Sequence, residues 1–214
     1  TGTPAAAAAA AGAVLAAVFH GHVVGGVDEG HLQAAAQVIH FACPEVDADS
    51  HEATKRWSTE RYARFADKLT EELGFSILLT WGPGEEEMVS NIAESMKQKS
   101  WIAPPTTIAE SIGLYKKLSL FVGSDSGPFH ICWALGIPTV SVWGPTDPNR
   151  NGAYSENHKA VFHKLNCSFC WKRQCPLGTT ECMDKVTVQN MFDATKKIAS
   201  EHIKMVTSPQ HSTH

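Results

Sequence analysis

Positive charge is missing from the first quarter of this 214-residue chain, in which Lys55 is the first lysine or arginine. A secretory signal begins with such charges, and the apolar run over residues 5–19 is too short to cross a bilayer. The sequence therefore predicts neither a secretory signal nor a membrane span. Six cysteines without such a signal are typical of a reducing compartment, so we expect a cytoplasmic protein.

A basic excess is also absent, because 18 Lys and Arg residues stand against 22 Asp and Glu residues and give a net charge of -4. Proteins that bind the phosphate backbone carry a surplus of positive charge. Nucleic acid is therefore not an expected partner. The apolar share of 43% is ordinary for a globular protein and excludes a disordered or collagenous chain.

The composition divides the chain into three parts. Residues 1–36 hold thirteen alanines without a clear apolar period, which predicts an Ala/Gly-rich leader or the remnant of a truncated N-terminal domain. From residue 37 onward, short β-branched or aromatic runs alternate with helical patterns. We expect one α/β domain over residues 37–205 and a polar tail over residues 206–214.

The pattern predicts strands over residues 38–43, 76–81, 101–103, 118–123 and 139–143, separated by helices of about 10–15 residues. Strands that alternate with helices form βαβ units, so the fold class is a Rossmann-like parallel sheet with helices on both faces. Such sheets bind ligands at the carboxyl ends of their strands. This rule selects four loops, which follow the first, second, fourth and fifth predicted strands.

The loop at residues 124–127 joins a strand to a helix through a tight turn. Free backbone N–H groups and the helix dipole make such a turn an anion site, most often for phosphate. Ser126 is placed to cap the helix and Gly127 to let a ligand approach the backbone. A well-capped helix start would have the same sequence, but His130, one turn further on, favours the anion site.

The other loops offer a cation, an acid and a polar turn. Lys55 follows the first strand and is either a solvated lysine or a phosphate contact. Glu85 begins a helix, where it either complements the dipole or binds a ribose diol. Residues 144–148 are a turn by composition and are also placed to line a ligand cleft.

Residues 54–57, 81–87, 122–154 and 166–183 together resemble the ADP-heptose:lipopolysaccharide heptosyltransferases, glycosyltransferase family 9. The resemblance covers about residues 37–200. It implies the C-terminal, donor-binding domain of a GT-B glycosyltransferase, an architecture of two Rossmann-like domains.

The resemblance implies seven donor-binding residues, which are Lys55, Glu85, Thr106, Asp125, Ser126, Gly127 and His130. In the family pattern Lys55 contacts a phosphate, Glu85 the ribose, Thr106 the adenine and Asp125 the donor sugar. The remaining three surround the diphosphate. Two independent arguments, from strand ends and from resemblance, thus lead to a diphosphate site.

The function implied is inverting transfer of heptose from ADP-heptose to the inner core of lipopolysaccharide, without a cofactor or a metal. The partners are this nucleotide-sugar donor and the lipopolysaccharide-core acceptor, through which the protein would associate with the membrane periphery. The family's general base belongs to an N-terminal domain for which residues 1–36 are too short. We therefore assign no catalytic residue, and we expect the isolated chain to bind the donor but to transfer little heptose.

Two other functions fit parts of the sequence. Residues 123–127 also match a nucleophile elbow with Asp125 as the nucleophile of an α/β hydrolase, in which His158 or His163 would be the base. A non-catalytic nucleotide-binding module is the third hypothesis.

Four cysteines, at positions 167, 170, 175 and 182, form a dense cluster in the sequence. Only the first pair has the spacing of a zinc half-site, which favours reduced structural thiols over a metal. We expect this cluster to lie away from the donor site. Cys43 and Cys132 are most simply small buried apolar residues.

Overall fold

The computed structural model describes residues 38–42, 53–152 and 154–202, with only the backbone described for residues 38–42. The proposed leader, the polar tail and Cys43 lie outside these residues. Six strands and seven helices follow in chain order within the described part: β1 (Val38–Ala42), α1 (Thr59–Leu73), β2 (Ser76–Leu79), α2 (Glu86–Ser95), β3 (Ser100–Ile102), α3 (Ile108–Tyr115), β4 (Leu120–Ser124), α4 (Gly127–Ala134), β5 (Thr139–Trp143), α5 (Pro148–Asn151), β6 (His158–Phe162), α6 (Glu181–Asp184) and α7 (Val188–His202). A single 3-10 turn, Ala53–Lys55, precedes α1.

The six strands form one parallel sheet in the order β3-β2-β1-β4-β5-β6. This is the strand order of Rossmann folds, in which the direction of sheet growth reverses between the first and the fourth strand. The predicted α/β fold class is therefore confirmed.

Two hydrophobic clusters cover the two faces of the sheet. The larger one packs α1, α2 and α7 against strand residues such as Leu120 and Val122. The smaller one packs α3 and α4 against Phe121 and Trp143. Because neighbouring strand residues face opposite sides, a continuous apolar run such as that in β4 serves both clusters.

Local signals fix the ends of α1 and the start of α3. Ser58 Oγ accepts a hydrogen bond from the Arg61 N–H at the start of α1, and the helix ends at Gly74 in the left-handed conformation, with φ 70°. Thr107 and Glu110 form a reciprocal capping box at the start of α3. In the part of the chain that the structure describes, no helix is long and apolar enough to cross a membrane.

Strand β6, which closes the sheet beside β5, was not predicted from the sequence. Its residues are only half-buried or exposed, and it contains His158 and Lys159. An edge strand lacks the run of buried β-branched residues that marks a central strand, so its sequence resembled a loop.

Candidate functional site

The candidate site lies at the carboxyl edge of the sheet, where β1 and β4 are neighbours. In a sheet of this order the chain turns away in opposite directions from these two strands, and the ligand crevice of such folds lies at this point. Lys55 belongs to the segment after β1, and Asp125 follows β4 directly. The topology thus brings together two loops that are far apart in sequence.

Asp125 contacts a lysine and a histidine in this crevice. The Lys55 Nζ lies 3.4 Å from Asp125 Oδ2, and His130 Nε2 donates to Oδ1 at 3.2 Å. The Asp125 carboxylate is only 7% exposed, whereas the side chains of Lys55 and His130 remain 20% and 44% exposed. Lys55, Asp125 and His130, the three residues of this polar cluster, therefore hold one another in fixed positions.

The charge of Asp125 depends on these partners. Burial alone would raise the pKa of this carboxyl, but the hydrogen bond from His130 and the charge of Lys55 outweigh it, and the net effect lowers the pKa. Asp125 is consequently a carboxylate at neutral pH.

Helix α4 points its N-terminus at the same crevice. Ser126 is the N-cap residue by backbone conformation, and Pro128 stands in the first turn, where it costs no hydrogen bond. Inside the helix the N–H groups of Gly127 and Phe129 have no carbonyl partner. The side chain of Ser126 makes no capping bond, contrary to our expectation; its hydroxyl is buried without a hydrogen-bond partner among the described residues. These free donors suit an anion.

Thr146 is a site residue that the sequence analysis did not single out. It lies in the loop after β5, is 6% exposed, and its hydroxyl has no hydrogen-bond partner within the described ranges. The same hydroxyl is close enough to Asp125 to help lower the pKa of that carboxyl, although the geometry falls short of a hydrogen bond. The loop was expected to line a ligand cleft because it follows a strand of the parallel sheet, but Thr146 itself was not predicted.

Glu85, the proposed ribose contact, ends the loop after β2. Its carboxylate is 2% exposed and accepts a hydrogen bond from the Gly82 N–H at 2.7 Å, which closes the turn over residues 82–85. It makes no side-chain capping bond to α2. Glu85 therefore stabilises its own turn in the present structure, and ribose binding stays a prediction.

Thr106 lies one strand further along the same edge, after β3, where its hydroxyl shares a 2.7 Å hydrogen bond with the Ser111 hydroxyl. Adjacent strands are about 4.8 Å apart, so the loops after β2 and β3 are roughly 10 and 14 Å from β4. The structure thus clusters Lys55, Asp125, Ser126, Gly127 and His130. It places Glu85 and Thr106 progressively further along one edge.

The cysteine-rich segment, residues 163–182, contacts the neighbours of Lys55 and Thr146, whereas we expected it to lie away from the donor site. Thr54, the neighbour of Lys55, donates to the carbonyls of Lys172 and Arg173 at 3.1 and 3.2 Å. The Trp171 N–H donates to the Pro145 carbonyl at 2.8 Å. The segment therefore connects the Lys55 turn with the loop that carries Thr146.

The four cysteines of this segment line one cavity of about 210 Å³, together with Thr54 and Gly144. All four are free thiols. Across residues 38–42, 53–152 and 154–202, no three His, Cys, Asp or Glu side chains are arranged to hold a metal ion. Free thiols therefore line this cavity.

The contacts of the histidines do not support the hydrolase hypothesis. His158 Nδ1 shares a 2.8 Å hydrogen bond with the Thr139 hydroxyl on the neighbouring strand. Burial lowers the pKa of His158 to about 4. Asp125 is instead paired with His130 and Lys55, which stabilise its negative charge and weaken it as a nucleophile.

The Rossmann-like sheet has the fold of a GT-B domain, and its switch point holds a lysine, a histidine and a helix N-terminus. The family model for glycosyltransferase family 9 (heptosyltransferase) matches residues 27–181. The chain belongs to this family, as its resemblance implied.

Individual relatives agree with this assignment. The chain is 26% identical to a lipooligosaccharide heptosyltransferase 2 from Campylobacter jejuni over 153 residues, which are 69% of this chain and 48% of the relative. The solved ADP-heptose LPS heptosyltransferase II of Escherichia coli matches with a TM-score of 0.62 and 20% identity, over 80% of this chain and 52% of that one. An E. coli heptosyltransferase solved with ADP matches with a TM-score of 0.58 and 22% identity, over 86% and 54%. The chain thus spans about half the length of these proteins.

Proposed function

We propose that this chain binds ADP-heptose at the β1/β4 crevice and supplies the donor-binding part of an inverting heptosyltransferase that acts on the lipopolysaccharide core. The family membership supports the reaction class. The relative solved with ADP supports the nucleotide. We further propose that the reaction takes place in the cytoplasm, at the membrane surface that carries the acceptor.

The polar cluster at the N-terminus of α4 is the observation that carries this proposal. A departing nucleoside diphosphate develops negative charge, which fixed cations and free N–H groups stabilise. Lys55 is held beside the helix N-terminus by Asp125, so its ammonium is in place before the ligand arrives. Ser126, Gly127 and His130 would surround the phosphates, and these groups could supply the stabilisation without a metal.

We propose positions for the remaining parts of the ligand from the strand order. With the diphosphate over β1 and β4, a nucleoside that extends toward β2 and β3 meets the loops of Glu85 and Thr106. Glu85 would have to exchange its bond to the Gly82 N–H for the ribose hydroxyls. This direction leaves the sugar on the opposite side, toward β5.

The test is calorimetric titration of the chain and of Lys55→Ala with ADP, ADP-heptose and a UDP-sugar. We expect ADP to bind, and the loss of one charge-assisted contact in Lys55→Ala to weaken it about tenfold or more. Lys117→Ala is the matched control, because Lys117 is an exposed lysine just before β4, at the opposite edge of the sheet. Equal ADP affinity in both variants would contradict the proposed site.

A transfer assay separates the enzyme from a non-catalytic nucleotide-binding module. Product formation is measured on a heptose-deficient lipopolysaccharide core, with and without the N-terminal domain of a family member. ADP binding without transfer in either mixture would favour the module.

A further inference from the structure

We propose that Thr146 is a donor-binding residue that contacts a ring hydroxyl of the sugar in the bound nucleotide sugar. This inference rests on the proposed function, because it assumes that the diphosphate occupies the β1/β4 crevice. It adds a residue from the loop after β5 to a site that is otherwise built from the segments after β1 to β4.

The hydroxyl of Thr146 is buried and lacks a hydrogen-bond partner among the described residues. The side chain is 94% buried, and in the described part of the chain its Oγ1 has no partner. A buried hydroxyl without a hydrogen-bond partner is unfavourable, and native structures rarely retain one without a reason. A polar group of a ligand would supply the missing partner.

The position of Thr146 matches the sugar end of the ligand. The nucleoside is assigned to β2 and β3 and the diphosphate to β1 and β4, so the sugar continues toward β5, the next strand in the sheet. Thr146 is the third residue after β5. Its hydroxyl also lies near Asp125, the residue placed beside the donor sugar by the family pattern.

Asp125 and Thr146 are complementary to a sugar hydroxyl. The Asp125 carboxylate can only accept a hydrogen bond, whereas the Thr146 hydroxyl can donate one. A sugar hydroxyl both donates and accepts, so it can bridge the two. A phosphate oxygen accepts only and is repelled by the carboxylate, which favours the sugar over the diphosphate as the ligand at this point.

The loop around Thr146 is held in place before any ligand binds. Asp147 Oδ1 accepts the Asn149 N–H at 2.9 Å, and the Pro145 carbonyl accepts the Trp171 N–H. Gly144 packs so closely on Met183 that a Cβ there would lie 2.5 Å from the Met183 sulfur. A preorganised side chain binds its ligand without an ordering cost.

The test compares the 214-residue chain with Thr146→Val and Thr146→Ser. Valine keeps the shape and removes the hydroxyl, whereas serine keeps the hydroxyl. We expect the Kd for ADP-heptose to rise about tenfold in Thr146→Val, while the Kd for ADP changes less than about twofold, and we expect Thr146→Ser to restore sugar binding. The Tm of the ligand-free Thr146→Val protein should fall only slightly, because the hydroxyl helps to lower the pKa of Asp125 but makes no full hydrogen bond within the described residues.

Two results would overturn the assignment of Thr146. One is an unchanged ratio of ADP-heptose to ADP affinity in Thr146→Val. The other is a markedly lower Tm together with equal losses of affinity for ADP-heptose and ADP, which would indicate a structural role. If the unmodified chain failed to bind ADP at all, the proposed function would fall as well, whereas retained ADP binding confines the failure to Thr146.

Discussion

Gly127, at the start of α4, is a glycine that the described fold does not require. It opens α4, its backbone is exposed, and a Cβ built on it would meet no other atom within 4 Å. Its φ lies outside the left-handed region that would require glycine. Nothing in the described packing therefore demands a glycine here, and the open space is available to a ligand.

Gly127→Ala should consequently separate stability from binding. We expect an unchanged or slightly higher Tm, because alanine is favoured over glycine in a helix by roughly 0.5–1 kcal/mol. We expect ADP to bind about tenfold more weakly, because the added methyl group occupies the space in front of the helix N-terminus. Thermal melting and calorimetry measure the two effects. Full ADP affinity in this variant would mean that the diphosphate lies elsewhere.

The residue pairings at the site were predictable only where topology dictated them. Lys55 and Asp125 could be placed together because parallel strands end at one edge. The bond from Glu85 to the Gly82 N–H and the unpartnered hydroxyl of Thr146 depend on side-chain rotamers and packing. These details are set by the folded core, and no spacing in the sequence encodes them.

Among the elements, the cysteine-rich segment, like strand β6, has a position that the sequence did not predict. Its contact with Thr54 joins positions 118 residues apart, and such a contact has no local pattern. The central strands, by contrast, were predictable because burial on both faces requires continuous apolar runs such as that of β4. The segment braces the turn that carries Lys55 against the loop that carries Thr146.

Thr54→Val should weaken the contact between the cysteine-rich segment and the turn that carries Lys55. Thr54 is 5% exposed, and valine keeps its shape but cannot donate to the Lys172 and Arg173 carbonyls. We expect a loss of about 1 kcal/mol in the free energy of unfolding, together with weaker ADP binding, because Lys55 is held less firmly. Urea denaturation and calorimetry measure both quantities.

Thr195→Val is the matched control for Thr54→Val. Thr195 is fully buried in α7, and its hydroxyl donates to the Met191 carbonyl at 2.8 Å, away from the site. It should lose similar stability and keep its ADP affinity. If Thr54→Val also kept its ADP affinity, the segment would have no role in positioning Lys55.

At the scale of the whole molecule, the stability of the sheet is linked to pH through His158. This half-buried side chain of β6 packs against Phe129 of α4, with ring centroids 5.0 Å apart. Burial lowers its pKa to about 4, and the nearby charges of Lys159 and His130 act in the same direction. His158 is therefore neutral in the folded protein at every pH at which the site would operate.

The sign of the pH effect follows from the unfolded state, in which histidine has a pKa of about 6.5. Below this pH the unfolded chain binds a proton at His158 that the folded chain does not bind until about pH 4. Acidification in this window therefore stabilises the unfolded state, and the free energy of unfolding should fall by on the order of 2 kcal/mol between pH 7 and pH 5 from this residue alone.

His158→Asn should remove that part of the pH dependence, because asparagine can keep the hydrogen bond to Thr139 but does not titrate. Urea denaturation at pH 7 and pH 5 gives the change in the free energy of unfolding for each protein. The carboxylates contribute equally to this change in the wild type and the variant. His163→Asn is the control: His163 is exposed just beyond β6, and its replacement should leave the wild-type pH dependence intact. A His158→Asn protein that loses as much stability on acidification as the wild type would show that His158 is protonated in the folded state, and that the β6 edge opens to water more readily than its packing on Phe129 indicates.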